Sequence, residues 1–304
     1  MEAPTTLAAP ILPPENGSQA FLGFGNRSAS TLGRRKAAAV VPASRSPAFF
    51  GRAEERGRVE RYSRQVLLPD FGEKGQRRLR GARVVVVGLG GLGCPSSLYL
   101  AAAGVGRLVL VDWQRVEESN LNRQILHWTK DLGRGKAESA AEKLRELNPE
   151  VRVEVVEERL TEENAGRILR GDVVVDGLDN YETRYLVNSL CVRRGIPFVH
   201  AAVEGLVGQL LTVVPGRGPC LRCVIPEPPP PKPLFPVLGS TAGVMGCLQA
   251  MEVIKLLTGL GRPAVGRLLL FEGKGMTFEE VEVERNPRCP VCGGHGRRGS
   301  SRKE

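Results

Sequence analysis

The apolar residues of this chain come in short unbroken runs separated by amphipathic stretches, and that alternation carries most of the fold. Arg83–Val87 and Arg107–Val111 read as buried strands, the second closed by Asp112, and Val173–Asp176 reads as a third. Between them, 96–103 predicts a helix ended by Gly104, and 136–147 predicts an amphipathic helix stopped by Asn148-Pro149. Further helices are expected over 61–67, 74–79, 161–169 and 182–194, and a long one over 244–257. The remaining strands are expected over 151–155, 197–200, 209–214, 267–271 and 280–284. Strands alternating with helices predict an α/β fold with a doubly wound, Rossmann-like sheet, parallel in its first half. The closely spaced later strands predict a mixed second half.

The two ends of the chain behave differently. Residues 1–58 are rich in Ala, Ser, Pro, Gly and Arg and keep no helical or strand period. They read as a disordered extension, as a start placed too far upstream, or as an organelle transit peptide, being Ser/Arg-rich and acid-poor. Residues 59–293 are expected to form one nucleotide-binding domain, and 294–304 a basic disordered tail. The net charge of +10 belongs mostly to these ends: residues 1–58 carry eight Arg and Lys against four Glu, and the tail four against one. The part between is only mildly basic, so a basic groove is not indicated and no nucleic acid is expected as a partner. No apolar run approaches the ~20 residues needed to span a bilayer, so a soluble protein with no membrane partner is expected. Seven cysteines are an odd number, and four of them fall in metal spacing. That fits a reducing compartment, the cytoplasm unless residues 1–58 are a transit peptide.

The chemistry begins with Gly88-Leu89-Gly90-Gly91-Leu92-Gly93, which follows a strand and opens a helix. In that context Gly88, Gly90 and Gly93 allow a tight turn whose N–H groups face an anion. Asp112 lies about 20 residues on, at a strand end where a carboxylate meets ribose hydroxyls. The polar cluster Ser119-Asn120-Leu121-Asn122-Arg123-Gln124 follows, then Lys136, then Asp179-Asn180 beyond the end of Val173–Asp176. Ligands of open α/β sheets bind beyond the carboxyl ends of the strands, so Asp112 and Asp179 are expected to converge on one crevice. Arg123, Lys136 and Asp179 around one nucleotide suit a triphosphate with Mg²⁺. Arg123 and Lys136 on a solvated face is the plainer alternative.

Cys220-x-x-Cys223 and Cys289-x-x-Cys292 supply four thiolates, enough for a closed tetrahedral Zn²⁺ site of structural type. A redox role is the rival reading, weakened by the presence of two pairs and no thioredoxin-like context. Cys94, Cys191 and Cys247 read as small core residues, and the three histidines, His127, His200 and His295, as structural or surface groups.

Together with Arg61-Tyr62-Ser63-Arg64-Gln65, the stretch 246–252 and Asn286-Pro287-Arg288-Cys289, these motifs occur in a recognisable order. From about residue 61 to 293 the chain resembles the ubiquitin-activating-enzyme-like adenylyltransferases (the HesA/MoeB/ThiF family). It is closest to those serving molybdopterin synthase and thiamine sulfur carriers. The resemblance implies that Gly91 and Asp112 hold the adenosine end of ATP, with Asp112 on the ribose, and that Ser119 and Asn120 belong to the nucleotide site. It implies that Asn122, Arg123 and Lys136 bind the phosphates and that Asp179 holds Mg²⁺ with Asn180 beside it. Arg64 would reach across a homodimer to the partner subunit's ATP, making Arg64, Arg123, Lys136 and Asp179 the catalytic set. The implied reaction is adenylation of the C-terminal Gly-Gly of a small ubiquitin-like (β-grasp) sulfur carrier, with sulfur supplied by a separate donor. Many relatives carry a cysteine between the first zinc pair and the last long helix; residues 224–241 have none, which argues against a covalent carrier intermediate there.

Three other readings stay open: activation of a carboxylate on modified tRNA, an NAD-binding oxidoreductase using the same loop, and a silent scaffold.

Overall fold

Residues 53–230 and 235–293 of the chain are described by a computed structural model, with side chains from residue 60 onward. The expected extension within 1–52 and the tail 294–304 lie outside the described residues. Helix α1 (Ala53–Val66) begins ahead of the expected boundary at 59, and α2 (Gly72–Gly81) follows it. Strand β1 (Arg83–Val87) then enters the sheet, with Val84, Val85, Val86 and Val87 all buried. Burial of consecutive residues means both faces of the strand are covered, as in a parallel sheet sandwiched by helices.

Helix α3 (Gly93–Ala102) starts three residues before the expected position, because Pro95 sits in its first turn, where a missing N–H costs nothing. Strand β2 (Arg107–Val111) and helix α4 (Lys136–Leu147) match their expected spans. Between them, residues 112–135 form a loop with two short 3₁₀ turns, Glu118–Asn120 and Thr129–Asp131. Strand β3 (Arg152–Val156), α5 (Glu162–Ile168), β4 (Val173–Asp176) and α6 (Tyr181–Arg194) complete the parallel half.

Strands β5 (Phe198–Glu204) and β6 (Val207–Val213) are longer than their apolar cores and meet in a tight hairpin at Gly205 and Leu206. A single-turn helix α7 (Leu221–Val224) follows, then α8 (Gly239–Thr258), which starts five residues earlier than expected. Strands β7 (Arg267–Glu272) and β8 (Thr277–Glu282) close the chain's sheet. The order is β3-β2-β1-β4-β5-β6-β7-β8. Pairings from β3 through β5 are parallel, and those from β5 through β8 antiparallel. The mixed sheet expected from strand spacing is therefore the sheet observed.

The main core lies on one face, where Val84, Val86, Leu108, Leu110, Val175 and Val199 pack with Leu100 of α3, Leu144 of α4 and Met245 and Val253 of α8. On the other face, α6 sends Arg184 to Asp176. The chain order reverses direction across the sheet between β1 and β4, which opens a crevice at their carboxyl ends.

Candidate functional site

That crevice is floored by glycines. Gly88 has φ +88°, and a Cβ there would lie 2.6 Å from the Gly177 carbonyl oxygen; one on Gly93 would lie 1.9 Å from the Gly88 carbonyl. Gly88, Gly93 and Gly177 must therefore all lack side chains for the β1–α3 turn to nest against the end of β4. Gly177 belongs to no motif, and its one sequence signal is its place directly after a buried strand.

The middle residue of the turn, Leu89, is held at both ends of its peptide groups. Its N–H donates to Asp112 Oδ2 at 2.8 Å, and Gln114 N–H donates to Asp112 Oδ1 at 2.8 Å. Its carbonyl accepts from His127 Nε2 at 3.0 Å and from Cys94 Sγ at 3.2 Å. Burial raises the Asp112 carboxyl above its usual range, opposed by the two N–H donors and by Lys136, and reinforced by the charge of Asp179. Asp112 and Asp179 follow the ends of β2 and β4, the two strands that flank β1.

The predicted cluster gathers on the same rim. Arg123 lays its stem over Gly91, its Cγ 3.5 Å from where a Cβ on Gly91 would be. Its guanidinium donates to the Ser119 carbonyl at 2.8 Å and to Asn122 Oδ1 at 3.0 Å. The start of α8 presses against this segment, since a Cβ on Gly239 would meet the Asn122 carbonyl oxygen at 2.3 Å. A side chain at Gly239 would have no room there, so a glycine opens α8. Asn120 is buried and accepts the Glu117 N–H at 3.1 Å, so its oxygen shapes the 3₁₀ turn; Ser119 is exposed. Gln124 is buried with its Nε2 beside Gly90, and its Oε1 lacks any hydrogen-bond donor among the described residues.

Lys136 opens α4, is buried, and donates from Nζ to Gln114 Oε1 at 2.8 Å. This excludes the solvated-face reading for Lys136. Asp179 is exposed at the mouth. Asn180 caps α6, its oxygen accepting the Thr183 N–H at 2.9 Å, while its amide donates to Asp179 Oδ1 at 3.3 Å. Arg64 stands apart, exposed in the last turn of α1 with no hydrogen bond or ion pair among the described residues.

Two buried polar networks support the crevice. Under the loop, His127 Nδ1 meets Ser139 Oγ at 3.0 Å, and Lys143 links Ser139 to Asp131. Burial pushes His127 down to about 4. Burial alone would raise Asp131, but Lys143 and the Trp128 N–H hold it at about 2. Under Asp179, the Asp176 carboxylate takes His200 Nδ1 at 2.6 Å and Arg184 Nε at 3.2 Å, while Gln249 holds the Asp176 carbonyl at 2.7 Å. Burial alone would raise Asp176; the Arg184 charge and the His200 bond outweigh it and hold the carboxyl below its usual value. Neither histidine is free to move protons at the crevice. His295 lies outside the described residues.

The four predicted metal-site cysteines converge. Their sulfurs lie within 4.8 Å of one another, with Cys220–Cys289 at 3.6 Å, Cys220–Cys223 at 3.9 Å and Cys223–Cys292 at 3.3 Å. Four thiolates on a zinc at about 2.3 Å have edges of about 3.8 Å, so the cluster fits a tetrahedral Zn²⁺. Burial pushes the Cys223 thiol up to about 11 and Cys220 further. Burial raises Cys289 as well, but the N–H groups of Cys292 and Val291 outweigh it and lower that thiol. Cys94 and Cys191 are buried, each pushed up to about 12 by burial, as small core residues should be. Cys247 is half-buried on α8.

The ThiF family matches residues 62–291, which contain the crevice and all but one of the four sulfurs. The chain belongs to the ThiF family. It is 50% identical over 244 residues to the SAMP-activating enzyme E1 of Haloferax volcanii, covering 78% of this chain and 90% of that one. It is 49% identical to the sulfur carrier protein adenylyltransferase of Thermus thermophilus, covering 77% and 91%. Against the mouse adenylyltransferase and sulfurtransferase MOCS3 it is 50% identical but spans 54% of that protein. Among solved structures, E. coli MccB with ATP matches with a TM-score of 0.70 and 26% identity, over 77% of this chain and 73% of that one. This ThiF-family chain has no helix among its described residues long and apolar enough to cross a membrane.

Proposed function

We propose that the protein is an ATP-dependent adenylyltransferase that activates the C-terminal carboxylate of a ubiquitin-like sulfur carrier ending in Gly-Gly. The observation carrying this reading is the crevice itself: a glycine turn, a buried Lys136, Arg123 over Gly91, and Asp179 at the mouth, with no histidine among them. Adenylation needs none. A chain-terminal carboxylate, with a pKa near 3.5, is ionised at neutral pH and is already the nucleophile. One carboxylate oxygen forms a bond to the α-phosphorus, the bond from that phosphorus to the β-phosphate oxygen breaks, and pyrophosphate leaves with its electron pair. Arg123 and Lys136 orient the phosphates and spread the charge that develops on them.

Asp112 and Gly91 serve the adenosine end, and Asn122 and Ser119 line the phosphate side. Asp179, an exposed carboxylate beside Asn180, would hold Mg²⁺, which prefers oxygen ligands and would supply positive charge against the phosphates. Cys220, Cys223, Cys289 and Cys292 would hold Zn²⁺, whose closed coordination ties the chain end to α7 without entering the reaction. The isolation of Arg64 from its own crevice favours a homodimer in which it completes the partner subunit's site. Sulfur would come from a separate donor after activation.

Mass spectrometry of a Gly-Gly-ended carrier incubated with the protein and MgATP tests the reading. The carrier should gain one AMP less water. Reduction of NAD⁺ without any adenylate would replace this function with an oxidoreductase.

A further inference from the structure

At the opposite end of the strands from the crevice, β1, β2 and β3 each begin with arginine: Arg83, Arg107 and Arg152. The sheet register places Arg83 beside Arg107 and Arg107 beside Arg152. Neighbouring strands are about 4.8 Å apart, so three like charges stand in one row, an arrangement that destabilises a sheet when nothing neutralises it. Among the described residues, one carboxylate pairs with their guanidiniums. Glu154 pairs with Arg83 at 2.9 Å and with Arg107 at 3.3 Å. Arg152, and Arg80 in the last turn of α2, have no acceptor among the described residues.

These four arginines line a cavity of 460 Å³ over the backbone of Gly81, Ala82 and Gly106. A second cavity of 440 Å³ shares Gly81 and Ala82 and continues past Arg77 and Arg78 toward Leu256 and Leu257; its one acidic lining residue, Asp172, accepts the Arg83 backbone N–H at 2.8 Å. The two form one furrow along the amino-terminal edge of the sheet. A count of charges along the chain does not reveal it, because the arginines are spread over more than 70 residues and meet only through strand register.

We propose that this furrow is an anion site for a linear oligophosphate, separate from the nucleotide crevice. The cations are all arginines, whose planar forks match pairs of phosphate oxygens. Several guanidiniums spaced at strand intervals match a chain of phosphates better than a single anion does. No aromatic side chain lines either cavity, so the furrow lacks the stacking platforms that single-stranded nucleic acids use. Filling it would relieve the arginine row, and binding to the folded state alone raises stability.

The experiment uses the full chain with its nucleotide site filled by a non-hydrolysable ATP analogue, and measures tripolyphosphate binding by calorimetry. The wild type is expected to bind it, and the double variant R80Q/R152Q to lose at least about tenfold in affinity. ATP–pyrophosphate exchange by that variant should be unchanged. Its melting temperature without ligand should match or exceed the wild type's, which separates lost binding from lost folding. Equal binding by wild type and double variant would overturn the site. Tighter binding of a single-stranded RNA homopolymer than of tripolyphosphate, lost in the same variant, would overturn the ligand class.

Discussion

His127 donates from Nε2 to the carbonyl of Leu89 at 3.0 Å, so the centre of the glycine turn hangs on an imidazole 38 residues away. Because a carbonyl only accepts, Nε2 carries the proton and Nδ1 accepts from Ser139. The ring is neutral and buried, and its role is positional.

Replacing His127 with Ala leaves the Leu89 carbonyl short of a donor and loosens the turn that meets ATP. The KM for ATP should rise about tenfold, equivalent to about 1.4 kcal/mol, with a smaller change in kcat. His127→Gln, whose amide can still donate, should recover most of the loss. Steady-state exchange kinetics at varied ATP read this directly; a fall in kcat at constant KM would assign His127 a different role.

The same imidazole sets a pH dependence of stability. Burial lowers His127 to about 4 in the folded chain, whereas an unfolded histidine titrates near 6.5. Between those values the unfolded state binds more protons, so stability falls as pH drops from about 6.5 toward 4, by up to about 1.4 kcal/mol per pH unit. Below about 4 this contribution is gone. His200, also lowered by burial, adds to the trend in the same direction. Denaturant melts across this range should show a shallower slope for His127→Gln than for wild type, and an identical slope would contradict the assignment.

Asp179 is exposed, and the Arg123 guanidinium bonds only to the neighbouring Ser119 and Asn122 among the described residues, so their removal should spare the fold. Asp179→Ala and Arg123→Ala should each abolish carrier-dependent pyrophosphate exchange while the melting temperature stays near wild type. Near wild-type exchange in either variant would remove that residue from the site.

How much of this was legible follows from the range of the interactions. The valine run at Val84 to Val87 and the C-x-x-C pairs announce themselves over a few residues, and the structure places them as their spacing predicts. Strand β5 runs past His200 because Ala201 and Ala202 pair with Leu210 and Gln209, a long-range choice that their weak strand preference hides. Helix α8 begins at Gly239, packed against Asn122 more than 100 residues earlier, a contact that no local pattern shows. The Asp176–Arg184–His200 network and the arginine furrow have no local pattern at all; tertiary structure alone creates them.

The cysteine cluster predicts one zinc per chain in reduced, freshly purified protein. Cys292→Ser leaves three thiolates and should lower both zinc content and melting temperature, since structural zinc contributes directly to folding. Elemental analysis finding no zinc in the wild type would contradict the site.

Carrier adenylation is reversible while pyrophosphate is present, so ATP–pyrophosphate exchange reads it out. Purified protein with Mg²⁺ would be offered a panel of Gly-Gly-ended β-grasp carriers, each beside a version lacking its terminal glycine. Exchange with at least one intact carrier, lost on truncation, is the predicted result. Tight ATP binding with no exchange on any carrier would contradict it.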